Sequence, residues 1–273
     1  MTLTTFFSSM GMDEHPTKHL FGVYHLIYFL GFIIAFIVLF TIMNKLKKKN
    51  QDRVINIALV LIMFLKYITE VIFIYEYYNL NPQLSTYAHP FLHINTFFSF
   101  QLCGVMNIVL PLVIWLNIKP LKPFVYMTSI LGGLAVVLYP VTVLFGEPPL
   151  ITLPVVRSVL VHFFLVFIPI FQIKRGDLKL ESKQALPIAI GLLTVAAWAM
   201  FGNLFIDSTA NNMYLMVNPF LNGPIPIISK IPSGWHVLLL AVLVTIGYFI
   251  VYHIAKLFEK KQNAGFQTEI IEV

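Results

Sequence analysis

Seven separate runs of mostly apolar residues constrain this chain more than any other feature. A helix that crosses a bilayer needs roughly 20 such residues. The runs are Phe21 to Met43, Val54 to Tyr78, Ile94 to Leu116, Phe124 to Phe145, Leu153 to Ile173, Leu186 to Ile206 and Trp235 to Phe258. In lipid every backbone polar group must be satisfied internally, so runs of this length predict helices. The composition agrees, since only 11% of the 273 residues are charged and 58% are hydrophobic. A soluble domain of this size needs more charge to cover its surface. The expected fold class is therefore all-α, a polytopic bundle of about seven transmembrane helices.

The basic residues set the expected orientation. Lys45, Lys47, Lys48, Lys49 and Arg53 follow the first run, and Lys119 and Lys122 follow the third. Lys174, Arg175, Lys179 and Lys183 follow the fifth, and Lys256, Lys260 and Lys261 close the seventh, so 14 of the 18 basic residues fall on one side. That side is expected to be cytoplasmic, with the N-terminus outside and the C-terminus inside. The corresponding division is an extracytoplasmic segment 1–20, a membrane domain 21–258 and a cytoplasmic tail 259–273. The longest outer loop, Asp207 to Gly234, is rich in Asn and Pro and is expected to fold over the helix ends.

Several function classes drop out. The net charge of +6 sits at the ends of apolar runs, so it argues for membrane topology and not for nucleic-acid binding. One cysteine allows no internal disulfide. Met1 to Thr17 lacks the basic stretch and apolar run of a cleavable signal peptide. No phosphate-binding glycine loop, zinc signature or Gly-x-Ser-x-Gly elbow occurs, so no cofactor or metal is expected and an ATP-driven pump is excluded for this chain alone. The expected partners are membrane lipids.

Polar residues inside spans are costly and mark candidate sites. In the second run Lys66 and Glu70 are four apart and share a helix face, where they are expected to pair. The third run holds Gln101, Cys103 and Asn107, and the fifth holds Arg157 and His162. Cys103 and His162 each lie about nine residues below the outer end, so both are roughly 13 Å deep. Equal depth permits contact, while packing remains the plain alternative for each. Gly132-Gly133 in the fourth run permits close helix approach, and Pro140 should bend that helix further out. Asn203, Asn211, Asn212, Tyr214, Asn218 and Asn222 could cap an outward cavity or hydrogen-bond a folded loop.

Read in order, Gln101-Leu102-Cys103, Gly132-Gly133, Tyr139-Pro140, the His162 helix, Asn212-Met213-Tyr214-Leu215 and Pro219 form a recognisable series. The chain resembles the YwaF-like bacterial integral membrane proteins, which are related to a eukaryotic transmembrane acyltransferase acting on phospholipids. The resemblance covers roughly residues 20 to 260. It implies a multi-pass protein of a bacterial plasma membrane in which Cys103 and His162 act together in acyl transfer. An adjacent imidazole can take the proton of a buried thiol and yield a nucleophilic thiolate. Arg157, Gln101, Asn107, Asn212 and Tyr214 are the expected substrate-binding residues. The alternatives are a permease component that uses Lys66, Glu70 and Arg157 as cavity groups, and a non-catalytic membrane protein.

Overall fold

A computed structural model describes residues 19–80, 98–140, 143–144, 153–208, 210–221 and 223–271, with side chains at all of these except 69–70, 72–80, 154 and 260–271. Seven α helices lie among them: α1 Val23–Lys45, α2 Lys48–Leu80, α3 Leu102–Trp115, α4 Lys122–Leu138, α5 Leu153–Arg175, α6 Ala185–Phe201 and α7 Trp235–Ile271. No strand occurs among the described residues. The chain is a polytopic helical membrane bundle. Five segments are long and apolar enough to cross a membrane: Val23–Lys45, Lys119–Leu138, Val155–Arg175, Ser182–Ile206 and Trp235–Glu259. At 33 residues, α2 is about 50 Å long and exceeds the bilayer core by length alone.

Burial separates the central helices from the peripheral ones. Of the crossing segment in α5, 61% is buried, against 6% for those in α1 and α7. The core is built from Leu59 and Ile62 of α2, Met106 and Leu110 of α3, Tyr126 and Ile130 of α4, and Leu165 and Ile168 of α5. Lipid is as apolar as these side chains, so the bundle gains its cohesion from close packing and internal hydrogen bonds.

The sequence spacing that joins α1 to α5 is a phenylalanine every fourth residue on both helices. Phe32, Phe36 and Phe40 meet Phe163, Phe167 and Phe171 edge to face, with ring centroids 5.4, 5.3 and 5.7 Å apart for successive pairs. Such geometry is favoured by the ring quadrupole. At the basic end of the bundle, Arg175 closes α5 by pairing with Asp52 of α2 at 2.7 Å and with Asp177. Lys174 reaches Asn44 of α1, and Gln51 donates to the carbonyls of Met43 and Leu46. The last carbonyls of α1 and the last charges of α5 are thus tied to the start of α2.

Three elements differ from their sequence expectation. The third helix begins at Leu102, eight residues after Ile94, and its 14 residues cover about 21 Å; residues 94–97 lie outside the described residues. Its lead-in, 98–101, is irregular backbone. The fourth helix stops at Leu138 where a bend was expected, because Tyr139 precedes proline and adopts φ −143°, ψ 76°. The last helix continues to Ile271, past the end of its apolar stretch. The side chain of Glu70, and the segments holding residues 1–18 and Asn222, lie outside the described residues, so the expected Lys66–Glu70 pair does too.

Candidate functional site

Irregular backbone within a bundle persists only where other groups satisfy it. Around residues 98–101 those groups come from α6 and the loop that follows. The Trp198 indole N–H donates to the Ser99 carbonyl at 2.9 Å. The Phe100 ring stacks on Trp198 with centroids 4.8 Å apart. Gly202 opens a π-helical turn, Gly202–Ile206, and a Cβ there would lie 2.4 Å from the Phe100 ring. The Gln101 side chain accepts from the Met213 amide at 2.9 Å. Helix α3 can therefore start inside the bundle.

This start places Cys103 in the first turn of α3. The first ladder bond of the helix runs from the Val105 amide to the Gln101 carbonyl. The amides of Leu102, Cys103 and Gly104 have no acceptor within the helix and carry its positive end. The sequence put Cys103 in mid-span; the structure makes it the second residue of a helix. The thiol is half-buried.

The Cys103 sulfur and the His162 backbone approach adjacent residues of α4. A Cβ built on Gly132 would lie 3.5 Å from the Cys103 sulfur, and one built on Gly133 would lie 2.9 Å from the His162 carbonyl oxygen. The glycine pair thus brings the thiol helix and the imidazole helix together. No hydrogen bond joins Cys103 to His162 among the described residues. The His162 ring is held instead by its own helix: Nδ1 lies 2.6 Å from the Ser158 carbonyl, an acceptor, so Nδ1 carries the proton and Nε2 the lone pair. Ser158 and His162 also line a small apolar cavity of about 30 Å³ with His25, Tyr28, Phe32 and Pro140. That volume holds about one water. His25 is fixed on both sides, accepting from the Phe21 amide and donating to the Val137 carbonyl.

A second, polar cavity of about 210 Å³ lies at the start of α3. Lys66, Ser99, Phe100, Gln101, Gly202, Asp207 and Asn212 line it. Lys66 is only 4% exposed, and its Cε would be 3.9 Å from a Cβ on Gly104. The roof is the loop after α6. Asn203 holds it with three bonds to Asn212, accepting from its amide and side chain and donating to its carbonyl. His236 donates from Nε2 to the Tyr214 carbonyl at 2.7 Å and accepts the Gly234 amide. Met213 and Tyr214 both sit in the left-handed region, at φ 54° and 55°. Two adjacent strained residues persist only where the surroundings over-determine them.

The expected site residues divide accordingly. Gln101 and Asn212 line the polar cavity, while Tyr214 contributes a carbonyl to the loop's anchor. Asn211 and Asn218 build the loop, each bonding backbone groups within 211–231. Asn107 is buried one turn beyond Cys103, and its Oδ1 has no hydrogen-bond partner. Arg157 lies five residues from His162, about 140° round the helix, and lines neither cavity. Sequence reasoning missed Ser158, although its four-residue spacing to His162 was a usable signal. It also missed Ser99 and Asp207, whose places depend on where α3 and α6 end.

The family model described as the TMEM164 family matches residues 20–261, nearly the whole chain. The chain belongs to the TMEM164 family. That match covers both cavities and every residue of the Cys103–Gly132–Gly133–His162 cluster. No curated protein and no solved structure matches this member. What the family membership gives is a transmembrane protein; the chemistry of this TMEM164 member has to be argued from its site.

Proposed function

We propose that this protein is a membrane lipid acyltransferase or acyl hydrolase with Cys103 as nucleophile and His162 as general base. The observation that carries the reading is the placement of the chain's only cysteine on the first turn of α3, against Gly132 and next to the Gly133 that meets the His162 backbone. The resemblance to YwaF-like proteins and their acyltransferase relative supports it.

The chemistry follows from the groups present. His162 Nε2 takes the Cys103 proton, since Nδ1–H is committed to the Ser158 carbonyl. The thiolate attacks an ester or thioester carbonyl of a lipid. The amides at the start of α3 receive the developing oxyanion. Collapse breaks the acyl bond, and the leaving oxygen or sulfur takes the proton from the imidazolium. A lysolipid hydroxyl, or water in the hydrolase, then gives its proton to Nε2, attacks the thioester and releases the thiol. Lipid chains occupy the apolar side of the site and Gln101 and Asn212 the polar side. The charge bias supports a site toward the outer face, and the resemblance supports a bacterial plasma membrane.

A permease component would need the polar cavity to continue through the bundle. The buried apolar side chains of Met106, Leu110 and Ile130, with the Tyr126 ring, fill the core beyond Cys103 instead, which favours a reaction chamber over a path.

The test is the lipid profile of cells carrying wild type, Cys103→Ser, His162→Ala or the double variant at matched protein levels. Each single variant should lose acyl transfer, and the double should be no worse, as for two residues acting as a unit. Unchanged lipids in Cys103→Ser would refute the nucleophile assignment.

A further inference from the structure

We infer that the polar cavity at the start of α3 is an oxyanion-binding site, with Lys66 as its cation, and that it takes a phosphate- or carboxylate-bearing ligand. This deepens the acyltransferase reading and rests on it only for the identity of the reaction, not for the binding itself.

The cavity is large and polar enough to hold a bound group: about 210 Å³, several times a water's share of liquid volume. Two independent features of its inner end suit an anion. Lys66 is 4% exposed, so little solvent screens it. The first amides of α3 point out of the helix end beside it. Gly104 is what lets these groups converge, since a Cβ there would lie 1.8 Å from Ser99 Oγ and 3.9 Å from Lys66 Cε. The hydroxyl of Ser99 adds a neutral donor. Asp207, the acidic residue among the lining groups, is exposed, so water screens its charge. An ammonium has three donors, so Lys66 can serve a bound anion while it keeps another acceptor. A buried amine on lipid-soluble helices is costly. A bound anion makes use of that charge at a polar opening in the bundle.

Two sources share this chemistry: the phosphate of a lipid headgroup and a soluble anion. Thermal unfolding of the full-length protein in dodecyl maltoside, which carries no phosphate, separates them. The additions are inorganic phosphate, dihexanoyl phosphatidylglycerol and, as an uncharged control, dihexanoylglycerol, all at constant ionic strength. Ligand that binds only the folded state raises the midpoint. The expected result is a saturable rise with one or both phosphates, none with dihexanoylglycerol, and an apparent affinity weakened about tenfold or more in Lys66→Met. Lys66→Arg should keep the rise. Should Lys66→Met fail to fold, Ala210→Phe, at another residue that lines the cavity, fills it while leaving Lys66 in place, and it should remove the rise equally. A rise with phosphatidylglycerol alone assigns the site to a lipid headgroup; a rise with inorganic phosphate assigns it to a free anion as well. No phosphate-dependent rise, or an equal rise in Lys66→Met or Ala210→Phe, overturns the proposal. Cys103→Ser should bind as wild type, so loss of the acyl-transfer reading would leave this result standing, and the reverse.

Discussion

Gly133 of α4 lies directly against the backbone of His162 in α5: a Cβ at residue 133 would stand 2.9 Å from the His162 carbonyl oxygen and 2.5 Å from Val166 Cγ2. One of those neighbours is backbone, which has little room to yield. Gly133→Ala should therefore push α5 away from α4 and destabilise the fold on the order of 1–3 kcal/mol. Gly132→Ala should be milder, because its nearest neighbour is the Leu102 methyl at 3.2 Å. Thermal unfolding in detergent checks the order, and equal midpoints for the two variants would contradict it.

Gly104 and Ser99 make a second close pair, across the irregular turn into α3. A Cβ on Gly104 would overlap Ser99 Oγ at 1.8 Å and Ser99 Cβ at 2.6 Å. Gly104→Ala should lower expression and stability sharply. Adding Ser99→Gly removes both clashing atoms and should restore part of the loss. An additive double variant would mean that the two residues do not meet.

Asn203 holds the loop above the polar cavity through three bonds to Asn212. Asn203→Ala leaves part-buried groups of Asn212 without these partners, at no more than about 1–3 kcal/mol for each one stranded. Limited proteolysis should then cut within 207–221 faster than in wild type, while the Arg175–Asp52 end of the bundle keeps its resistance. Uniform loss of resistance along the chain would assign Asn203 a global role instead.

The helical bundle was legible in the sequence because bilayer thickness and apolar run length are tied by the helix rise alone. Gly132-Gly133 was legible as a close approach, though not which helices it joins. The start of α3 was not legible. Hydropathy treats Phe98, Phe100 and Leu102 alike, while the helix boundary is set by Trp198 and, through Gln101, by Met213, both distant in sequence. That one boundary decides whether Cys103 is a mid-helix packing residue or sits among free amides. Arg157 shows a second limit: spacing along the chain puts it five residues from His162, but which cavity a side chain lines depends on helix rotation.

The orientation expected from the basic residues can be read by labelling. In a Cys103→Ser background, a cysteine replacing Asn222 should react with a membrane-impermeant maleimide in intact cells. One replacing Lys47 should react only after the membrane is opened. The reverse pattern would invert the topology and put the polar cavity on the cytoplasmic side.

Acylation of Cys103 itself tests the central claim most directly. The purified protein is incubated with phospholipid, quenched in acid and weighed intact by mass spectrometry. A mass increase of one fatty acyl group is expected in wild type, removable by neutral hydroxylamine as a thioester should be, and absent in Cys103→Ser. His162→Ala should form it far more slowly, since no base takes the thiol proton. Acyl transfer that proceeds with no adduct on Cys103, and at an undiminished rate in Cys103→Ser, would contradict the account.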